Sequence, residues 1–471
     1  MKNLRVALLY AASVAASVVV FLYIERVGLT LTPTSDAGTQ GGQAAASVPV
    51  SIASGASTVM HVLLAIAVIV IATNLVGAVF RRLRQPQVMG EVVAGILLGP
   101  SLLGWLAPQA ASHLISGDVV PYLSVISQIG VVLYMFLVGV ELDTELLRKR
   151  TQASILISHT SIVAPFLLGS ALALWIYPSY ANRGVSFTPF ALFLGVAMSI
   201  TAFPVLARIL TDRGMQKTPT GVLALACAAA GDVTAWCLLA FVVAVTRAQP
   251  GKTIYVLILT AAYILFVLFV AKPGVLWLAR KRERDGKTSR GMFAVVCSAL
   301  LLGAFATEWI GIHALFGAFL LGAMLPHDSA LARDLQAKCE DLVSVLLLPL
   351  FFAFTGLRTQ IGLLSSGHEW IVCGVIILVA SLGKFGGSYA AARVAGVERR
   401  EAASLGVLMN TRGLMELIVL NVGLDLGVLS PTLFAMFVVM ALVTTLATSP
   451  ILEAVEVKPV SKASQGLKNL G

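Results

Sequence analysis

The sequence predicts an all-α polytopic membrane protein: about thirteen transmembrane helices after an N-terminal apolar segment, arranged as two inverted repeats with two discontinuous helices. Three observations carry that prediction. Of the 471 residues, 58% are hydrophobic and 12% charged, with a mean hydropathy of +0.92, far from the composition of soluble domains. Apolar stretches long enough to cross a hydrocarbon core of about 30 Å recur along nearly the whole chain. Basic residues, finally, alternate from loop to loop.

An N-terminal apolar segment covers roughly 6–30, and thirteen more follow at about 58–80, 88–106, 121–141, 152–177, 187–211, 218–246, 253–279, 291–309, 311–325, 341–357, 369–393, 401–424 and 430–452. Backbone groups in hydrocarbon must bond within their own segment, so each is expected to be helical. Lys2 and Arg5 precede the first apolar run, which is longer than a signal-peptide core and has no small-x-small site beside it. An extra helix over 1–30 is therefore preferred to a cleaved signal. Residues 31–57 are small, nearly chargeless and aperiodic, as in a flexible external linker. The membrane domain is placed at 58–452 and a short cytoplasmic tail at 453–471.

Assigning alternate loops to the cytoplasm puts there Arg81, Arg82 and Arg84, the run Arg148 to Arg150, and the stretch RKRERDGKTSR at 280–290. The opposite loops hold only Arg26, Arg183, Arg247, Lys252 and Arg358. That asymmetry follows the positive-inside rule and puts the C-terminus in the cytoplasm, as for a multi-pass protein of a bacterial inner membrane. It also accounts for the net charge of +10 through the lipid bilayer as partner, without nucleic acid. The five cysteines show no metal-ligand spacing and read as small apolar residues. No nucleophile elbow, phosphate loop or cofactor motif is present, which argues against an enzyme.

A charge at the bilayer centre costs at least about 2.5–3.5 kcal/mol. Asp232 nevertheless stands at the middle of the sixth segment, and Lys384 near the middle of the eleventh. The two alone are compatible with a structural ion pair. Two interruptions favour a transport site instead. In AMSITAFPVLARIL the fifth segment carries Thr201 and Pro204 at its centre, and in GVLMNTRGLMELIV the twelfth carries Asn410, Thr411, Arg412, Gly413 and Glu416. Proline removes a helical hydrogen bond, and unwound backbone at this depth is tolerated only inside protein or beside a hydrated cavity. The two interrupted segments lie seven spans apart and so cross in opposite directions. Broken helices in inverted halves point to a midplane site for ions.

At such a site one carboxylate serves proton and cation in turn. Burial disfavours a bare carboxylate, whereas a bound proton or cation neutralises it, so each excludes the other. Carriage of the neutralised site alone then couples their flows, H+ against a hard monovalent cation, with Thr201 and freed carbonyls completing the cation shell around Asp232. A gated cation channel and a sodium-coupled organic-anion symporter remain the alternatives from other classes. The first lacks a filter-like loop, and the second calls for more polar side chains. Glu91, near the cytoplasmic end of the second segment, reads as a snorkelling or helix-start acid, Glu416 equally as a structural acid, capping freed amides or pairing with Arg412, and as an ion contact, and His159 as a packed residue rather than a pH sensor.

The stretches RQPQVMGEVVAGILLGPSLLG, ITAFPVLARIL, GDVTAWCLLA, LPLFFAFTGLRT and NTRGLMELIVLNVG resemble the monovalent cation:proton antiporter-2 family, nearest its plant-exchanger-like bacterial branch. The resemblance covers roughly 58–452. It implies a sodium/proton antiporter-like fold, a homodimer, and a six-helix core moving like an elevator against a panel domain. The core would comprise helices across about 121–246, setting aside the 121–141 flank, and 369–452. It further implies that Asp232 binds cation and proton, that Lys384 is the core lysine, and that Thr201 lies on the first broken helix. The family's acid pair departs here, because Gly231 stands where its first member is Asn or Asp. That leaves Lys384 to pair with Asp232, with a carbonyl or with nothing, and favours electroneutral exchange. The chain stops about twenty residues after its last helix, so control through a dinucleotide-binding domain is not expected.

Overall fold

In the computed structural model, residues 2–33, 55–141, 152–215, 218–247 and 253–455 are described, and among them every regular element is helical. The expected linker at 31–57 and the tail at 453–471 lie largely outside them. Helix α1 spans Lys2–Gly28. Then come α2 (Gly55–Arg82), α3 (Gln87–Leu98), two short turns α4 (Leu103–Leu106) and α5 (Pro108–Leu114), and α6 (Val120–Glu141). The second apolar segment is therefore interrupted after Leu98, since the Gly-Pro pair at Gly99 and Pro100 ends α3 before the short turn α4.

Next are α7 (Gln152–Tyr180), α8 (Phe187–Ser199), α9 (Phe203–Asp212) and α10 (Pro219–Arg247). α11 (Thr253–Phe266) runs through a π-turn into α12 (Lys272–Asp285), and α13 (Arg290–Ile310) and α14 (Ala314–Ala323) follow. α15 (Ala330–Leu342) passes a π-turn into α16 (Leu348–Arg358), and α17 (Gly367–Ser381) a third one, Leu382–Gly386, into α18 (Gly387–Val394). The chain closes with α19 (Arg399–Met409), α20 (Leu414–Asp425) and α21 (Pro431–Val455). Ten of these stretches are long and apolar enough to span a membrane. The other apolar segments of the membrane domain are two broken helices and the short α14.

Two groups of helices pack together. In one, α7 lies along α8, α10 and α18, and α19 touches α18 and α21. In the other, α3 lies against α2 and α16, while α6 lies against α14 and α16. Small residues set close crossings: a Cβ on Gly95 would sit 2.1 Å from the Ala353 carbonyl oxygen, so only hydrogen permits α3 and α16 to touch backbone to backbone. Helix α1 docks on the first group, with the Phe21 and Phe166 rings 5.7 Å apart and Thr188 Oγ1 donating to Glu25 at 2.7 Å. A cavity of about 1850 Å³ opens between the groups at the end bearing Arg81, Arg213 and Arg400. This is the face the charge pattern assigns to the cytoplasm.

Candidate ion-binding site

The two interrupted segments meet each other. Helix stops at Ser199 and resumes at Phe203, stops again at Met409 and resumes at Leu414. Each break frees backbone groups that need partners, and they find them across the crossing. The Ala202 N–H donates to the Thr411 carbonyl at 3.0 Å, and Thr201 Oγ1 donates to the Met409 carbonyl at 3.0 Å. Pro204 lies in the first turn of α9. It therefore does not break a helix interior, as its place in the sequence suggests, but occupies a start position where its missing N–H costs no helical bond.

Arg412 braces the crossing. Its guanidinium, wholly buried, donates to the Ala197 and Met198 carbonyls at 3.0 and 2.9 Å and to Glu416 Oε2 at 2.9 Å. The negative end of α8 is thus capped by a cation from the other broken helix. Thr445 Oγ1 receives the Arg412 N–H at 3.0 Å and donates to its carbonyl at 2.7 Å. Glu416 is accordingly the partner of Arg412, and its Oε1 has no hydrogen-bond partner among the described residues.

Asp232 sits midway along α10 and is 7% exposed. The Phe203 N–H, at the positive end of α9, lies near it, which suits a negative group. Its Oδ1 has no hydrogen-bond partner among the described residues, and the same holds for Asn410 Oδ1 and Thr411 Oγ1 in the second break. A buried acceptor without a donor is costly in a static protein, and oxygen acceptors are what a hard monovalent ion takes. Lys384 is 1% exposed, lies in the π-turn between α17 and α18, and donates from Nζ to the Ser161 carbonyl at 3.0 Å. Among the three partners left open by the sequence it therefore takes a carbonyl. At Gly231, buried beside Asp232, a Cβ would meet nothing within 4 Å.

The cavity comes up to this crossing, although Asp232, Thr201 and the break at 410–413 do not line it. Its walls include Tyr134, which lies within electrostatic range of Asp232, and Val205, whose Cγ2 would be 2.8 Å from a Cβ on Gly413. A transmembrane sodium/hydrogen exchanger family model matches residues 53–454. The chain belongs to that exchanger family. Among its relatives, the Na(+)/H(+) antiporter NhaS4 of a Synechocystis species is 46% identical over 84% of this chain and 97% of its own. The Cation/H(+) antiporter 17 of Arabidopsis thaliana is 39% identical over 83% of this chain, and the K(+)/H(+) antiporter 1 of Saccharomyces cerevisiae 33% over 82%. The chain spans about half the length of those two, 48% and 45%. The sodium proton antiporter MjNhaP1 from Methanocaldococcus jannaschii shares the fold, with a TM-score of 0.62 at 15% identity over 84% of this chain and all of that one.

Other residues of the chain differ from their sequence reading. Glu91 does not snorkel: it is 4% exposed in α3 and receives a hydrogen bond from Gln87 Nε2 at 2.9 Å. Its spacing four residues after Gln87 was the available signal. Tyr134 was not a candidate, because an aromatic residue within an apolar helix reads as core. The carbonyls that hold Arg412 leave no mark in a sequence, and nothing local marks Lys384 as the partner of Ser161.

Proposed function

We propose that this protein exchanges a monovalent cation, K+ or Na+, for H+ across a bacterial inner membrane, one for one and without net charge movement, as a homodimer with a cytoplasmic C-terminus. The observation that carries the proposal is Asp232, a buried carboxylate with an unpartnered oxygen at the meeting point of two broken helices beneath an open cavity. Asp232 takes the cation or the proton. Thr201 and the unpartnered oxygens of Asn410 and Thr411 offer further ligands, while Pro204, Arg412, Gly413 and Glu416 hold the breaks in shape.

Alternating access follows from the cost of moving a bare carboxylate through hydrocarbon. The core group carrying α7 to α10 and α17 to α21 slides against the panel when Asp232 is neutralised by either ion. The charge inventory of the crossing supports electroneutral exchange: among the described residues Asp232 is the one acid there without an ion-pair partner, because Glu416 is held by Arg412. The names of the relatives include both sodium and potassium exchange, and the cation is proposed only as monovalent. Everted vesicles from an antiporter-deficient host, carrying a pH-gradient dye and challenged with Na+, K+, Rb+ and Li+, test the assignment. Asp232→Asn should abolish cation-driven proton movement, and full activity in that variant would overturn it.

A further inference from the structure

Lys384 is buried, yet no carboxylate lies within 4 Å of it among the described residues. Its acceptor is the Ser161 carbonyl, and the residue four positions on is Pro165, inside α7. In a regular helix the N–H of residue 165 would take that carbonyl. Proline has no N–H, and its ring pushes against the carbonyl of the residue four before it. Ser161 is that residue, so its oxygen is both released from the helix and turned outwards.

The approach from the other side is built to match. Lys384 lies in a π-turn, a local widening of the helix that places side chains off the regular register. The adjoining Gly383 lies against the proline itself, since a Cβ there would be 2.7 Å from the Pro165 Cα. The lysine, the freed carbonyl and the proline form one contact between α7 and the α17–α18 turn. Asp232, with no acid before it at Gly231, is left outside that contact.

We propose that Pro165 is a positioning residue for cation and proton exchange: by stripping the Ser161 carbonyl of its helical donor, it moors the Lys384 ammonium on α7 and keeps it off Asp232. This rests on the reading of Asp232 as the exchange site. Without the mooring, the ammonium pairs with Asp232 as a tethered cation. A paired carboxylate holds its proton less readily and admits the transported cation only by displacing the lysine.

The test is a cycle of Pro165→Ala and Lys384→Gln, singly and together, in proteoliposomes scanned for exchange rate against pH and for cation KM. Alanine restores an N–H at 165 and suits a helix, so the fold should hold. Pro165→Ala should move the pH midpoint of exchange about one unit to lower pH and raise KM severalfold. Lys384→Gln in the same chain should remove both shifts. A fall in kcat alone, with midpoint and KM unchanged, or shifts that persist without the lysine, would overturn the mooring. Asp232→Asn runs alongside: exchange surviving there sinks the carboxylate reading itself, a result distinct from the cycle.

Discussion

Asp232 and Lys384 are the two charges that the sequence sets at membrane depth, and they do not form an ion pair. The lysine is satisfied on the Ser161 carbonyl, while one oxygen of the acid remains without a partner. Burying an ion pair is costly, and breaking one by removing a partner is worse, so an unpaired acid at this depth needs a mobile counter-ion. Gly231 bears on the stoichiometry. A Cβ there meets nothing within 4 Å, so Gly231→Asp should meet no clash at its first carbon and should add a second titrating carboxylate. The expected outcome is exchange that accelerates under an imposed membrane potential, where wild type does not respond. Proteoliposome flux with and without the potential reads this directly.

At the scale of elements, the breaks in α8–α9 and α19–α20 are held by backbone groups exchanged between them rather than by side-chain packing alone. Arg412 serves three acceptors at once, two of them carbonyls at the end of α8. Arg412→Ala would leave Glu416 as a buried acid without its cation and two carbonyls without donors. A loss of about 3–5 kcal/mol is expected, read as a large fall in melting temperature in detergent. The joint replacement Arg412→Met with Glu416→Leu should recover much of that stability while exchange stays impaired, because α8 remains uncapped. Both breaks were legible in the sequence, as proline, glycine and polar residues clustered in apolar surroundings. The place of Pro204 in a first turn was not, since composition marks a break only to within a few residues.

For the whole molecule, the cavity opens at one end and charged bridges close the other. Arg247 at the end of α10 pairs with Glu308 of α13 at 2.9 Å, and Arg358 at the end of α16 pairs with Asp425 of α20 at 2.6 Å. Each joins the core group to the panel group. Both arginines are among the few basic residues the charge pattern leaves on the external face. Asn421 of α20 adds a bond to Thr355 of α16 at 2.8 Å. These pairs are half-exposed, so each is worth about 0.2–1 kcal/mol. Neutralising both, with Arg247→Gln and Arg358→Gln, should raise labelling of a buried Thr355→Cys reporter from outside by roughly two- to thirtyfold. Labelling of Ile209→Cys in the cavity from the cytoplasmic side should not rise. An equal rise at both positions would mean general loosening of the fold instead.

Sequence alone determined the helical membrane class, the two broken segments and the isolated Asp232, because hydropathy, helix-breaking residues and the cost of a buried charge are local properties. It also marked Gly231 as a gap in an acid pair. Only the tertiary structure decided what each buried charge touches. Whether Lys384 pairs with Asp232 or a carbonyl, whether Glu91 reaches water, and which arginine closes which face depend on atoms brought together from distant parts of the chain. A carbonyl freed by a proline four residues later is written in the sequence, but the lysine that claims it arrives from more than two hundred residues away.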